Sequence, residues 1–167
     1  MLFLANRANL DRRRLLTRLH NRLGTQVDGD GPIQQVWYHT AAGDKTGVRA
    51  TVDPDRFLDT EYRCDEAELQ VSFDFPRDAD HDYYRIQWVE RDRDLLVGWH
   101  QDETHPDLGP CHFQLDYDGE TVQRTGAAYL DVHPLNVFDR RTDDLVDVLD
   151  ALTWDDGRPE VNSDALR

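Results

Sequence analysis

Hydrophobic and polar residues alternate along the middle of the chain, which is the pattern of β-strands with one buried face. The clearest case is the segment 68–75, where Leu69, Val71 and Phe73 are separated by polar residues. The same period of two is found at 84–88, 95–100 and 112–117. Further strands are predicted at 33–39, 47–52 and 121–124. The sequence therefore predicts five to seven strands in succession.

Two of the predicted turns join neighbouring strands into hairpins. The charged segment 91–94 separates two alternating runs and indicates a tight reversal between them. Asp118 and Gly119 form the dipeptide that most strongly favours a two-residue hairpin turn. Strands linked in this way run antiparallel, so we expect an antiparallel sheet.

Helical periodicity appears near both ends of the chain. In the segment 9–23, Leu16, Leu19 and Leu23 recur at helical spacing and define one apolar face. Near the other end, Thr142 is a suitable N-cap, and Leu145 and Val148 continue an apolar stripe. This stripe covers either the sheet or a second subunit, so a homodimer is one expectation.

Together these elements predict an α+β domain. We expect a curved antiparallel sheet of five to seven strands, with an N-terminal and a C-terminal helix packed on one face. The predicted domain spans residues 1–154. Residues 155–167, which include Gly157 and Pro159, are expected to be a flexible C-terminal tail.

Charge is the strongest compositional signal. The chain has 34 Asp and Glu against 19 Lys and Arg, a net charge of −15, and Lys45 is its one lysine. A surface this negative repels phosphate backbones and anionic membranes. At 1 M salt the Debye length falls to about 3 Å, so self-repulsion costs little there. The composition therefore indicates a halophilic protein in a salt-rich cytoplasm.

Several protein classes are disfavoured by what the sequence contains. The apolar run at its start is too short for a signal peptide, and no run approaches the ~20 residues of a membrane span. Cys64 and Cys111 form no C-x-x-C pair, which argues against a disulfide scaffold or a zinc ribbon. We expect a soluble cytoplasmic protein with no membrane association and no cofactor.

The first 24 residues are basic, in contrast to the rest of the chain. They carry a net charge of +5 and leave −20 on the remainder. Arg12 and Arg13 lie in the predicted helix and are candidate substrate-binding residues. The helix is either an ordinary surface helix whose arginines pair with the acidic body, or a basic arm for RNA or an acidic partner.

Three histidines cluster in the segment that carries the candidate chemistry. By the alternation described above, His100 and His112 end and begin neighbouring strands and point to the face opposite Trp99. The loop between them would carry His105 over that face. Imidazoles that converge in this way are suited to proton transfer at neutral pH. Asp102, or the neighbouring Glu103, could orient one of them.

Other interpretations of the same residues remain open. The histidines could bind a metal with Cys111 or Asp102 as a fourth ligand, in a metal-assisted hydrolase or isomerase, although their spacing matches no zinc signature, and we expect no metal. They could instead satisfy backbone carbonyls or face solvent. Cys111 has no evident cation or helix N-terminus to activate it as a nucleophile, and we expect it to be a packing residue.

The segment 83–117 resembles the core of TumE-type toxins, small proteins encoded beside a helix-turn-helix antitoxin. The resemblance is carried by YYRIQW at 83–88, a short acidic turn at 92–94, LLVGWH at 95–100, HPDL at 105–108 and PCH at 110–112. It covers about a fifth of the chain. Where the family has an arginine and an aspartate on the second strand, this sequence has Gly98 and His100.

The resemblance implies a toxin-like component of a two-gene toxin–antitoxin module, with a helix-turn-helix antitoxin or regulator as its partner. If the protein cuts RNA, His100, His105 and His112 would supply the acid and the base. Arg85, Trp99 or the basic helix would then hold the substrate. The alternative is a non-catalytic acidic protein that docks a helix-turn-helix regulator or mimics nucleic acid.

Overall fold

The computed structural model describes residues 11–27 and 29–166. Within them a seven-stranded antiparallel sheet has its strands in sequence order, each paired with the next. This confirms the predicted antiparallel sheet and the α+β class. The sheet strands are β1 (Ile33–Ala41), β2 (Asp44–Val52), β3 (Ala67–Asp74), β4 (Tyr83–Glu90), β5 (Leu95–Gln101), β6 (Cys111–Tyr117) and β7 (Glu120–Gly126). The other elements are α1 (Arg12–Gly24), α2 (Pro54–Leu58), α3 (Pro134–Asp150), and a small hairpin of β8 (Leu152–Asp155) and β9 (Arg158–Val161).

Strand register divides the sheet into an apolar face and a polar face. Ile86, Trp99 and Phe113 are direct partners across β4, β5 and β6, and all three are buried. The buried leucines of α1 and the buried residues of α3, such as Leu145, belong to the same hydrophobic cluster. The core therefore lies on the apolar side of the strands, and the residues that alternate with it form the polar face.

Turn chemistry agrees with the sequence between β6 and β7. Asp118 and Gly119 have φ angles of 51° and 73°, the left-handed values that a type I′ hairpin turn requires. The predicted hairpin is confirmed.

Helix α1 begins at Arg12 because the side chain of Asp11 caps it, accepting hydrogen bonds from the backbone N–H groups of Arg13 and Arg14. It buries Leu16 and Leu19 completely. The sequence predicts that this helix begins at residue 9, but residues 9 and 10 lie outside the described part of the chain.

Helix α3 begins nine residues earlier than predicted, so the assignment of Thr142 as its N-cap is wrong. His133 is the cap: its Nδ1 accepts a hydrogen bond from the N–H of Leu135 at 3.2 Å. Pro134 follows at the first helical position, where its missing N–H costs nothing. Thr142 lies inside the helix and donates its hydroxyl to the carbonyl of Phe138.

The expectation of a flexible tail is also corrected. Residues 158–161 form β9, and Val161 and Leu166 are buried in the core cluster. Gln123 on β7 holds β9 through two bonds to the backbone of Val161, donating to its carbonyl at 2.9 Å and accepting from its N–H at 3.0 Å. The two apolar side chains and this amide clamp attach the segment to the sheet edge.

A search of the helices among the described residues finds none that is long and apolar enough to cross a membrane.

Candidate functional site

The candidate site lies on the polar face, where β5 and β6 meet. His100 and His112 are direct partners in the register, and so are Trp99 and Phe113 on the opposite face. The centroids of the two imidazole rings are 5.2 Å apart. The period of two in each strand thus places both histidines together on the side away from the core, as the sequence analysis expected.

His105 completes a cluster of three rings. Its centroid is 4.9 Å from that of His112, and the ring planes are nearly perpendicular. His105 comes just before a single turn of 3-10 helix, Pro106–Leu108, in the loop from β5 to β6. This loop lies against the end of β7, because a Cβ atom on Gly126 would come within 2.8 Å of the carbonyl oxygen of Leu108. Gly126 therefore allows the close approach that brings His105 over His112.

His100 is held in a defined state by its surroundings. The residue is 8% exposed, and its Nε2 lies 2.6 Å from the side-chain nitrogen of Gln87 on β4. Because an amide nitrogen only donates, Nε2 accepts this bond, and the proton of the neutral ring is on Nδ1. Burial, and then the charges of Arg85 and His112, lower the pKa of His100 to about 4.

His112 is the most enclosed of the three histidines, with 1% of its surface exposed. Neither of its ring nitrogens has a hydrogen bond of normal length among the described residues. Burial lowers the pKa of His112, and the nearby His105 and Arg124 act in the same direction, whereas Asp102 and Gln114 oppose them. The lowered pKa favours the neutral imidazole, and both of its ring nitrogens are buried.

Asp102 does not orient a histidine as predicted. Its Oδ1 accepts hydrogen bonds from the backbone N–H and the hydroxyl of Thr104, which fixes the start of the loop. Its Oδ2 lies 3.7 Å from the guanidinium of Arg85. Burial alone would raise the pKa of Asp102, but the bonds from Thr104 and the two neighbouring histidines lower it overall. Asp102 is therefore ionised. Its short side chain bonds to the backbone two residues further along the chain, which is typical of Asp in a turn.

Two arginines flank the histidines. Arg85 is the direct partner of His100 on β4 and has a largely exposed side chain. Arg124 lies on β7 and donates two hydrogen bonds to Oε1 of Gln114, at 3.2 and 3.1 Å. Sequence reasoning identified Arg85 but missed Arg124. The register of the hairpin at Asp118-Gly119 would have placed Arg124 on the same face.

Of the remaining candidate residues, Trp99 and Arg13 lie away from the cluster and Arg12 lies at its margin. Trp99 is 1% exposed on the apolar face, where it packs against Phe113 and Arg141, so its assignment to the substrate-binding group is corrected. Arg13 is exposed on α1. Arg12 makes an ion pair with Asp74 at 3.1 Å. It lines a groove of about 280 Å³ at the end of the strands, together with Arg85 and Asp102.

Cys111 belongs to a buried cluster on the apolar face. Its sulfur lies 3.3 Å from the hydroxyl of Tyr84 and 3.5 Å from the guanidinium of Arg141. Burial raises the pKa of the Cys111 thiol, with Tyr84 and Arg141 opposing it. A buried thiol that stays protonated is a packing residue, not a nucleophile.

Across the described ranges 11–27 and 29–166, no group of three or more His, Cys, Asp or Glu side chains is arranged to hold a metal ion. The rings of the cluster meet edge to face, with their centroids about one ring width apart. No hydrogen bond joins the ring nitrogens of His112 to His100 or His105, so a proton transfer at this cluster would run between one ring and a bound group.

Comparison of the chain with known protein families, with curated proteins and with solved structures finds no match.

Proposed function

We propose that the protein cleaves RNA by general acid–base catalysis at the histidine cluster, as the toxin-like component of a two-gene module. The observation that carries the proposal is the contact of three imidazole rings between two arginines, at centroid distances of 5.2 and 4.9 Å. The proposal includes a curved sheet whose apolar face is covered by α1 and α3. The buried residues that these helices share with the strands support this arrangement.

His112 is assigned as the general base. The lowered pKa favours a neutral ring at pH 7. Both ring nitrogens are unpartnered but buried, so this role requires the loop 102–110 to move aside and admit the 2′-hydroxyl. In RNA cleavage this proton comes from the 2′-hydroxyl, whose oxygen then attacks the adjacent phosphorus. The bond from phosphorus to the 5′ oxygen breaks, and the products are a 2′,3′-cyclic phosphate and a 5′-hydroxyl.

The leaving 5′ oxygen takes its proton from His105 in this assignment. His105 is only partly buried, so of the three it is the one that a bound leaving group reaches most directly. His100 acts as a neutral hydrogen-bond donor through Nδ1, since Gln87 occupies its Nε2. The three rings thus take different roles because their surroundings differ.

Arg85 and Arg124 would stabilise the charge that develops on the phosphorus oxygens. Fixed cations at such a position are a large source of rate enhancement in phosphoryl chemistry. Arg85 is next to His100, and Arg124 lowers the pKa of His112 through its charge. The arginine of the family's second strand is absent here, and these two side chains supply the cations on the same face.

RNA cleavage in molar salt tests the proposal. The purified protein is incubated with an oligoribonucleotide and a chelator, and the products are resolved by mass. We expect a 2′,3′-cyclic end, no cleavage of the same oligomer with a 2′-deoxy sugar at the cut site, and a loss of 10²- to 10⁴-fold in His112→Gln. Intact RNA with the unsubstituted protein would overturn the assignment.

Membership of a two-gene module predicts a neighbouring gene for a small helix-turn-helix protein. Expression without that gene product should slow growth in a salt-rich cytoplasm, and co-expression should restore it. Normal growth on expression alone, together with intact RNA, would remove the toxin role.

A second candidate function is supported by the charge of −20 on residues 25–167. In this alternative the acidic body docks a basic helix-turn-helix regulator without catalysis. Replacing all three clustered histidines by alanine should then leave formation of that complex unchanged. Loss of the complex in this variant would favour the histidine cluster as a site.

A further inference from the structure

Two cross-strand rows run across the centre of the polar face, one residue from each of the seven strands. The first row is Trp37, Arg49, Gln70, Gln87, Gly98, Gln114 and Arg124. The second row is His39, Gly47, Ser72, Arg85, His100, His112 and Gly126. We call these fourteen positions the central stripe. Direct partners in an antiparallel sheet project to the same side, so all of them share the face of the histidine cluster.

The charge of the central stripe is opposite to that of the protein. At the average composition of the chain, about three of fourteen positions would be Asp or Glu, yet the stripe has neither. It contains Arg49, Arg85 and Arg124 instead, of which Arg49 pairs with Glu68 at 3.4 Å and Arg85 with Asp102 at 3.7 Å. Carboxylates return in the next row, at Glu68 and Asp116. A band without carboxylates is the part of an acidic protein's surface that repels a polyanion least.

The side chains of the stripe are suited to bases as well as phosphates. Trp37 lies on the edge strand β1 with its ring partly exposed, in a position to stack a base. Gln70 and Gln114 present amides on this face, whose nitrogens donate to Glu68 and Asp116 in the unbound protein. Gly98 has no side chain, so the centre of the stripe is flat. A larger residue does not fit there, because its Cβ atom would come within 2.3 Å of the carbonyl oxygen of Ile86.

We infer that the central stripe binds a single-stranded stretch of RNA laid across the strands, with Trp37 and Arg49 contacting nucleotides remote from the cleaved bond. The inference rests on the proposed function, because it extends the same site to its substrate. The first row crosses seven strands at a spacing of about 4.8 Å and is about 29 Å long, enough for several nucleotides, whereas in the second row His105 covers the buried His112. A flat face with stacking residues favours unpaired bases over a duplex, whose bases are enclosed.

Binding is measured separately from cleavage with a 2′-O-methyl oligoribonucleotide of eight nucleotides, which lacks the reactive hydroxyl. Its dissociation constant is followed by fluorescence anisotropy between 0.2 and 1 M salt. Trp37→Ala should weaken binding at least about fivefold, the lower end of the effect of one stacked base, and Trp37→Phe should largely retain it. Arg49→Gln should reduce the slope of log Kd against log salt by about 0.7, the value for one phosphate contact.

The matched control is Arg140→Gln, which removes an exposed arginine of α3 instead of one from the stripe. It should bind like the unsubstituted protein, and a double-stranded form of the oligomer should bind more weakly. Circular dichroism confirms that each variant is folded. Undetectable binding by the unsubstituted protein, or equal binding by Trp37→Ala, Arg49→Gln and Arg140→Gln, overturns the inference.

The two proposals fail in different ways. If the oligomer binds through Trp37 and Arg49 but RNA is never cleaved, the stripe is a binding surface and the acid–base assignment is wrong. If RNA is cleaved and neither substitution alters binding, the catalytic cluster stands and the stripe is not its substrate path.

Discussion

The buried state of His100 predicts how the stability of the fold depends on pH. Its pKa is about 4 in the folded protein, against 6.5 for an unperturbed histidine, and burial is the main cause. Between these two values the unfolded chain binds the proton and the folded protein does not. The contribution of His100 to stability is therefore fully present above pH 6.5 and is lost as the pH falls towards 4.

The size of this effect follows from the shift. One pKa unit corresponds to about 1.4 kcal/mol, so the full window is worth about 3 kcal/mol. Linkage gives about 2 kcal/mol of that loss between pH 7 and pH 5. The lowered pKa of His112 adds to the loss in the same direction.

Chemical denaturation in constant molar salt at pH 7 and pH 5 measures this loss. His100→Gln removes the titrating ring and keeps a side chain that can bond to Gln87. The free energy of unfolding of this variant should fall by about 2 kcal/mol less than that of the unsubstituted protein over the interval. The comparison cancels the titration of the carboxylates, which both proteins share.

His39→Gln is the matched control, since it replaces an exposed histidine of β1 by the same residue. It should follow the unsubstituted protein. If His100→Gln and the unsubstituted protein lose equal stability between pH 7 and pH 5, His100 is not held neutral by burial. The role assigned to it in the cluster would then be wrong.

Two glycine substitutions test the geometry around the cluster. Gly126→Ala places a Cβ atom 2.8 Å from the loop backbone and should displace the loop, exposing His112 to diethyl pyrocarbonate; unchanged modification would show that the loop does not shield this ring. Gly98→Ala meets backbone at 2.3 Å and should lower the free energy of unfolding by about 1–3 kcal/mol. Gly24→Ala in α1 is the control, because a Cβ atom there meets nothing within 4 Å, and it should raise the free energy of unfolding by up to about 1 kcal/mol. Equal effects of Gly98→Ala and Gly24→Ala would show that the close approach of the backbone at Gly98 does not matter for stability.

The alternation of residues along the chain was sufficient to predict the sheet and its two faces. Side chains on a strand alternate with a strict period of two, so Trp99 and Phe113 on the core side require His100 and His112 on the other. The same rule places Trp99 on the face opposite the histidines. Its assignment as a binding residue was wrong because that face is buried in the core. Turn residues likewise predicted the hairpin at Asp118-Gly119 because the left-handed backbone there is a local requirement.

The boundaries near the end of the chain depended on contacts between distant residues. Arg141 interrupts the apolar stripe of α3 and hides the start of that helix in the sequence, yet it is buried because its guanidinium reaches Tyr84, 57 positions away. Residues 158–161 have too few apolar side chains to predict a strand. They form β9 because Gln123 hydrogen-bonds to the backbone of Val161 and the side chain of Val161 is buried in the core cluster.

Tertiary structure also decided the chemical state of the candidate site. Sequence placed the three histidines near one another, but the hydrogen bond from Gln87, the enclosure of His112 by the loop at Gly126, and the approach of Arg124 arise only when four strands and a loop are assembled. Periodicity is a property of a few consecutive residues, whereas the pKa of a side chain depends on every group within a few ångströms, whatever its position in the chain.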